Sequence, residues 1–218
     1  MKKQREHSWF KKKKKSENCL RIMQKAQELF VNHSFSKVTM EELANELGMS
    51  KKTVYKDFQS KDELLLSILN HTKDEMSGRF DEILHDESMT FPQRMVQIMT
   101  FISKKISNMR PRFMDDLRRT RPEIFNELIE FRRDHIHRFM SELMEEGKRT
   151  GYINKEISTV VLVSGYEAVI QRLMHPDFLT QHPLKPEEVY HSILQIFFNG
   201  ALVEDKRDEF EPITHIIK

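Results

Sequence analysis

The sequence is 218 residues long, with 32% charged and 38% hydrophobic residues, six glycines and seven prolines, which describes a mainly helical protein with room for a small unit and a larger one. A single cysteine, Cys19, excludes an intramolecular disulfide and a cysteine cluster for zinc or iron and sulfur, and points to a reducing, cytoplasmic setting. The net charge of +2 hides a split: residues 1–61 hold fifteen Lys/Arg against seven Asp/Glu, so the remaining chain is acidic, as suits a nucleic-acid-binding head on an acidic body.

Residues 1–15, MKKQREHSWFKKKKK, carry eight basic groups and one acid, with no apolar run long enough for a signal peptide. They read as a basic flexible arm, either a solvated tail or a strand of charge for a DNA backbone or an anionic lipid surface. A first helix then places Ile22, Ala26, Leu29 and Phe30 on one face.

The stretch from Thr39 to Lys61, TMEELANELGMSKKTVYKDFQSK, reads as two short helices and the start of a third. Thr39 and Glu42 form a capping box, and Val38 and Leu43 supply the hydrophobic staple. Met40, Leu43, Ala44 and Leu47 face one way, and Gly48 stands where a left-handed residue ends the helix. Ser50 caps the next helix, in which Val54 and Phe58 face inward while Lys51, Lys52, Thr53, Tyr55 and Lys56 face out. Ser60 and Glu63 cap the third. Lysines at a helix N-terminus oppose the macrodipole, at about a few tenths of a kcal/mol each, and a phosphate or a guanine edge would reverse that sign.

With the preceding helix included, Asn18 to Leu69 resembles the N-terminal DNA-binding domain of the TetR family of transcriptional regulators. The resemblance rests on Phe35, Val38-Thr39-Met40, Leu43-Ala44, Gly48-Met49-Ser50, Thr53-Val54-Tyr55, Phe58 and Ser60-Lys61-Asp62-Glu63-Leu64-Leu65. Where the family usually has glycine before the aromatic residue, this chain has His33-Ser34-Phe35, so Ser34 must make a tight turn without glycine. The resemblance implies an all-α fold: a three-helix helix-turn-helix DNA-binding domain, then a helical ligand-binding and dimerisation domain. The expected divisions are a basic arm over 1–15, a DNA-binding domain over 16–62 and an effector-binding and dimerisation domain over 63–218. The resemblance and the outward face together assign Thr39, Thr53, Tyr55 and Lys61 to phosphates and Lys51, Lys52 and Lys56 to the groove, with Ser50 in the same set.

From Lys61 the third capped helix should run to about Leu84, with Gly78 a weak point. Thr90 and Gln93 cap a helix to about Asn108, Arg110-Pro111 interrupts, and a short helix reaches Thr120. Pro122 opens a long amphipathic helix to about Arg149, ended by Thr150-Gly151. Residues 156–174 form an apolar run that Glu167, Gln171 and Arg172 interrupt short of a membrane span. His175-Pro176 and His182-Pro183 read as a loop, and Pro186 opens a last helix, apolar around most of its circumference. In the TetR family the last two long helices pair across a two-fold axis, which gives Val161, Gly165, Ile193, Phe197, Gly200 and Ala201 as the expected homodimer interface.

No nucleophile elbow, phosphate-binding glycine loop, dinucleotide fingerprint or H-E-x-x-H occurs, so the sequence offers no enzyme site and implies no cofactor. His135 and His137, two apart on a helix, diverge and make no chelating pair, and no metal site is expected. The body is rich in adaptable apolar side chains, which serve as core or as the lining of an effector pocket. Met95, Met99, Phe113, Phe125, Phe131, Met140, Met144 and Tyr166 are the expected lining for a hydrophobic or aromatic effector. The expected protein is a homodimeric repressor that binds a palindromic operator in double-stranded DNA and is released by a small effector, with no membrane partner. The alternatives are an architectural DNA-binding protein, and a small-molecule or haem carrier with a vestigial DNA head.

Overall fold

The computed structural model describes residues 16–210, apart from the side chains of 208–210, so the basic arm lies outside it. Among the described residues the chain is a succession of helices with one isolated bridge, Ile153 to Leu202. Four helices begin the chain: α1 (Glu17–His33), α2 (Met40–Glu46), α3 (Lys51–Asp57) and α4 (Lys61–Leu84). Side-chain caps set each start. Ser16 accepts from Cys19 N, Thr39 and Glu42 close the capping box, and Ser50 and Ser60 accept from Thr53 N and Glu63 N. Gly48 turns the chain between α2 and α3 at φ 64°, while Ser34 ends α1 at φ 74°, a conformation that ordinarily selects glycine.

The body comprises α5 (Phe91–Ser107), α6 (Pro111–Thr120), α7 (Pro122–His135), α8 (Ser141–Thr150), α9 (Thr159–Leu173), α10 (Pro176–Gln181) and α11 (Pro186–Ala201). Two features depart from expectation. The helix opened by Pro122 is not one continuous α-helix, because a π turn over Ile136–Met140 joins α7 to α8 and turns Phe139 and Met140 into the core. The loop after Met174 contains α10, with Pro176 at its first turn and the His175 side chain accepting from Asp177 N. That proline was a helix-start signal as much as a loop signal. Gly78 does not interrupt α4, which runs unbroken for 24 residues.

Two cores form, and their boundary is not the end of the helix-turn-helix. The head core holds Ile22, Ala26, Phe30, Phe35, Leu43, Val54 and Phe58, and it is completed by Leu64, Leu65 and Ile68 of α4 together with Leu117 of α6 and Phe125 of α7. Phe113 and Phe125, expected around a pocket in the body, thus belong with the head core. They pack on the head because α6 and the first turns of α7 lie against it. The body core gathers Met95, Met99, Phe139, Met140, Met144, Tyr166, Tyr190 and Phe198 around α5, α8, α9 and α11.

Polar contacts fasten the same seam. Asp116 of α6 accepts from the backbone N–H and the hydroxyl of Ser36 at 2.8 and 2.7 Å, gripping the loop between α1 and α2. Arg121 Nε lies 2.8 and 2.9 Å from the two carboxylate oxygens of Asp62 in the first turn of α4. Lys73 of α4 meets Glu127 of α7 at 2.6 Å. Packed side chains and charge-assisted hydrogen bonds thus join α6 and α7 to the head together.

Candidate nucleic-acid interface

Helix α3 buries Val54, and the following Phe58, against α1 and α2, and that anchoring turns the other side of the helix outward. Lys51, Lys52, Thr53, Tyr55 and Lys56 are all exposed. The cap fixes two hydroxyls at the start of this face, where Ser50 Oγ lies 2.8 Å from Thr53 Oγ1. Lys52 and Lys56 make no ion pair or hydrogen bond with the described residues. Lys51 reaches back to Glu41 at 2.7 Å, but both side chains are more than half exposed, so the pair contributes at most about 1 kcal/mol and yields readily to a phosphate. The outcome is a short helix presenting three ammonium groups and a phenol on its outward face.

Two residues assigned to phosphates are otherwise engaged. Thr39 N donates to Glu42 at 2.7 Å, and the Thr39 hydroxyl accepts from Glu42 N at 3.1 Å, so both groups belong to the capping box. The Thr39 backbone N–H holds the Glu42 carboxyl below its ordinary range, as do the hydroxyl and, more weakly, neighbouring charges. Lys61 Nζ donates to the carbonyls of Phe35 and Val38 at 2.9 and 2.8 Å and lies 4.4 Å from the centroid of the Phe35 ring. Burial, then the Arg121 charge, lowers its pKa. To meet a phosphate, Lys61 must give up part of its hold on the α1–α2 loop. Sequence reasoning missed this because the carbonyls of Phe35, Ser36 and Val38 converge on Lys61 only after the loop has folded back over α4.

The matches with known proteins cover the same segment and then the whole chain. Residues 22–68 match the family described as bacterial regulatory proteins, tetR family. The matched segment spans the helix-turn-helix and its flanking helices. It is 25% identical over 190 residues to the uncharacterized HTH-type transcriptional regulator YvaF of Bacillus subtilis (strain 168), covering 86% of this chain and 97% of the relative. A transcriptional regulator of the TetR/AcrR family from Thermobifida fusca YX-ER1 shares the fold with a TM-score of 0.59 at 23% identity, over 85% of this chain and 98% of that one. SmeT, solved as a complex with triclosan, superposes with a TM-score of 0.67 at 14% identity, over 87% of this chain and 93% of the other.

The residues expected around an effector pocket fall in different places. Met95 and Met99 are fully buried in the body core, and Phe131 packs its ring against His135 at a centroid distance of 4.4 Å. Met140, Met144 and Tyr166 do share one gap, with Leu162, Val163 and Phe197, of about 250 Å³, of which only about 10 Å³ is clear enough for a water. A wider groove of about 1110 Å³ runs between head and body past His33, Lys37, Glu46, Arg110 and Arg112, and none of the expected residues lines it.

The interface residues divide in the same way. Val161 is 67% exposed and Gly200 is exposed, whereas Ile193 and Ala201 are buried in the chain's own core. Phe197 is half-buried and packs edge-on against Tyr166 at 5.4 Å, over Gly165. Among the outward apolar side chains that the sequence did not assign to an interface, Val160 and Ile196 are 74% and 69% exposed. Nothing in the pattern of α11 could have distinguished Ile196, because the apolar residues of that helix cover most of its circumference and only the packing of α5 and α9 selects the inward ones. Among the described residues no helix is long and apolar enough to cross a membrane.

Proposed function

We propose that this TetR-family transcriptional regulator acts as a cytoplasmic homodimer, docking the α3 of each protomer in the major groove of a palindromic operator and releasing it when a small effector binds the body. The observation that carries the reading is the outward face of α3, where Lys52, Tyr55 and Lys56 stand uncommitted on a helix anchored by Val54 and Phe58. A second copy is supported by Val160 and Val161 of α9 and Ile196 of α11, large apolar side chains that water otherwise covers. Effector control is supported by the seam, since α6 and α7 complete the head core and hold Ser36 and Asp62 by charged groups. A body rearrangement would shift both heads, and half-sites about one helical turn apart tolerate little change in head separation. Repression is the simplest output of such a device, because docking itself excludes other proteins from the site.

The experiment is selection of bound sequences from a random duplex library at physiological salt, followed by titration on the selected duplex and on random DNA. Recovery of a two-fold symmetric sequence bound at least a thousandfold more tightly than random DNA is the expected result, within the usual range of specificity ratios. A ratio near one would favour an architectural role.

A further inference from the structure

The groove of about 1110 Å³ between head and body has a wall on each. The end of α1 and the loop after it contribute Ser34 and Lys37 from the head, the start of α6 contributes Arg110 and Arg112 from the body, and α10 adds Leu179. Its charges do not cancel. Two carboxylates border the groove and both are committed: Glu42 accepts from the Thr39 N–H and hydroxyl at 2.7 and 3.1 Å, and Glu46 pairs at 3.1 Å with Lys25, which is not in the lining. Lys37 and Arg112 make no ion pair or hydrogen bond with the described residues, and Arg110 gives one N–H to the Ser107 carbonyl at 3.2 Å. Cations from both head and body therefore line one space without a counter-ion among the described residues. A cleft lined by one sign of charge concentrates ions of the other.

A second feature of the groove has no use in the fold. Ser34 holds φ 74°, where glycine would be free of strain, and it too belongs to the lining. Its hydroxyl makes no hydrogen bond with the described residues. Strain of this kind costs about 1–3 kcal/mol and gathers at ligand sites. Here the strained residue adds an uncommitted donor to the lining that holds the cations. The groove is also set apart from the α3 face. Asn18, near the start of α1, donates to Asp57 at the end of α3 at 2.9 Å, whereas the head wall lies where α1 ends at His33, about 22 Å along the helix from that contact. A duplex on α3 and a small anion in the groove would occupy different ends of the head.

We propose that this groove binds an oligophosphate chain, with Arg110 and Arg112 on the body and Lys37 and the Ser34 hydroxyl on the head donating to its oxygens. Linked phosphates suit the lining for two reasons. A chain carries charge along its length and so meets cations on both walls, where a compact anion meets one. Guanidinium groups pair with phosphate oxygens through parallel N–H bonds. The groove is as large as sites that hold drug-sized molecules, and Leu29, Pro111 and Leu179 give an attached nucleoside an apolar surface. The site is separate from any effector compartment inside the body, and its ligand ties head to body by its own bonds.

The test uses the full-length protein at physiological salt, without DNA or magnesium, titrated by calorimetry with phosphate, pyrophosphate and tripolyphosphate, and with citrate as a compact anion. Affinity is expected to rise along the phosphate series, with tripolyphosphate bound more tightly than citrate. Lys37→Gln and Arg112→Gln each weaken tripolyphosphate about tenfold, the lower end for a hydrogen bond to a charged group, because both side chains are exposed. Arg149→Gln removes the same charge at the exposed end of α8, outside the groove, and leaves the affinity unchanged. Ser34→Gly weakens tripolyphosphate about threefold while raising the melting temperature of the free protein, a pairing that damage to the fold does not produce. Equal losses from Arg149→Gln and the groove variants would put the anion on diffuse charge and overturn the proposal, as would citrate binding as tightly as tripolyphosphate, or tripolyphosphate not binding. Adenosine triphosphate separates the sources: tighter binding than tripolyphosphate assigns the groove to a nucleotide, and weaker binding assigns it to free oligophosphate. Because the readout needs no DNA, failure here leaves operator recognition standing, and failure of operator recognition leaves this site standing.

Discussion

Gly147 lies in α8 where a side chain has no room, and replacing it with alanine gives a test of the body's packing with a control built into the same chain. A Cβ at Gly147 would stand 2.4 Å from Ile153 Cγ1 and 2.7 Å from Phe91 Cζ. Neither neighbour can withdraw easily. Ile153 is fully buried and bridged to Leu202, and Phe91 is buried and stacked on Tyr152 at 5.3 Å. Two overlaps with constrained partners place the overpacking cost near the upper end of the usual range, about 3 kcal/mol. Alanine's better helix propensity returns about 1 kcal/mol, leaving a net loss of about 2 kcal/mol. Gly78, midway along α4, has nothing within 4 Å of its would-be Cβ, so Gly78→Ala gains the propensity alone. For a chain of this size the two variants should melt about 4–8 °C below and about 2–4 °C above wild type, measured at one protein concentration. Adding Ile153→Ala to Gly147→Ala should cost less than the sum of the single changes, because the overlap disappears with Cγ1. A Gly147→Ala protein as stable as wild type would refute the packing described here.

Ser34→Gly relieves a φ of 74° that suits glycine, so strain of about 1–3 kcal/mol outweighs glycine's entropy of about 0.5–1 kcal/mol and the melting temperature should rise by a few degrees; a fall would mean that Ser34 has a role beyond the turn. On the selected operator, Tyr55→Phe should weaken specific and random binding alike, as loss of a phosphate contact does, whereas Lys52→Ala should change the base preferred at one position by about 1–3 kcal/mol, and a uniform loss from both would remove direct readout by Lys52. Ile196→Glu places a carboxylate on the exposed apolar face of α11 and should give folded monomers in sedimentation; an intact dimer would put the interface elsewhere. The Glu42 carboxyl, held low by the Thr39 N–H, should keep its part of the capping box above the ordinary carboxylate range and lose it only as pH falls through that lowered pKa, visible as faster hydrogen exchange at the Thr39 amide in acid.

Local chemistry wrote the head into the sequence. The pairs Thr39 with Glu42 and Ser60 with Glu63, the cap at Ser50 and the left-handed Gly48 are interactions between residues three or four apart, so each can be read without knowing what lies across the fold. The strained Ser34 was legible for the same reason, since a missing glycine in a tight turn is a local fact. The outward lysines of α3 followed from the inward spacing of Val54 and Phe58. What residue types alone could not assign was the partner of each long-range group. Phe113 and Phe125 looked like pocket aromatics until α6 and α7 laid them on the head, Lys61 looked free until three carbonyls closed over it, and Ile193 looked like an interface residue until α5 and α9 enclosed it. An apolar side chain carries no mark of whether its own core, a second copy or a ligand will cover it, because the hydrophobic effect has no direction. Helix identity was therefore decided within a few residues of chain, while the division of the body into core, interface and ligand gap was decided only by how the helices packed.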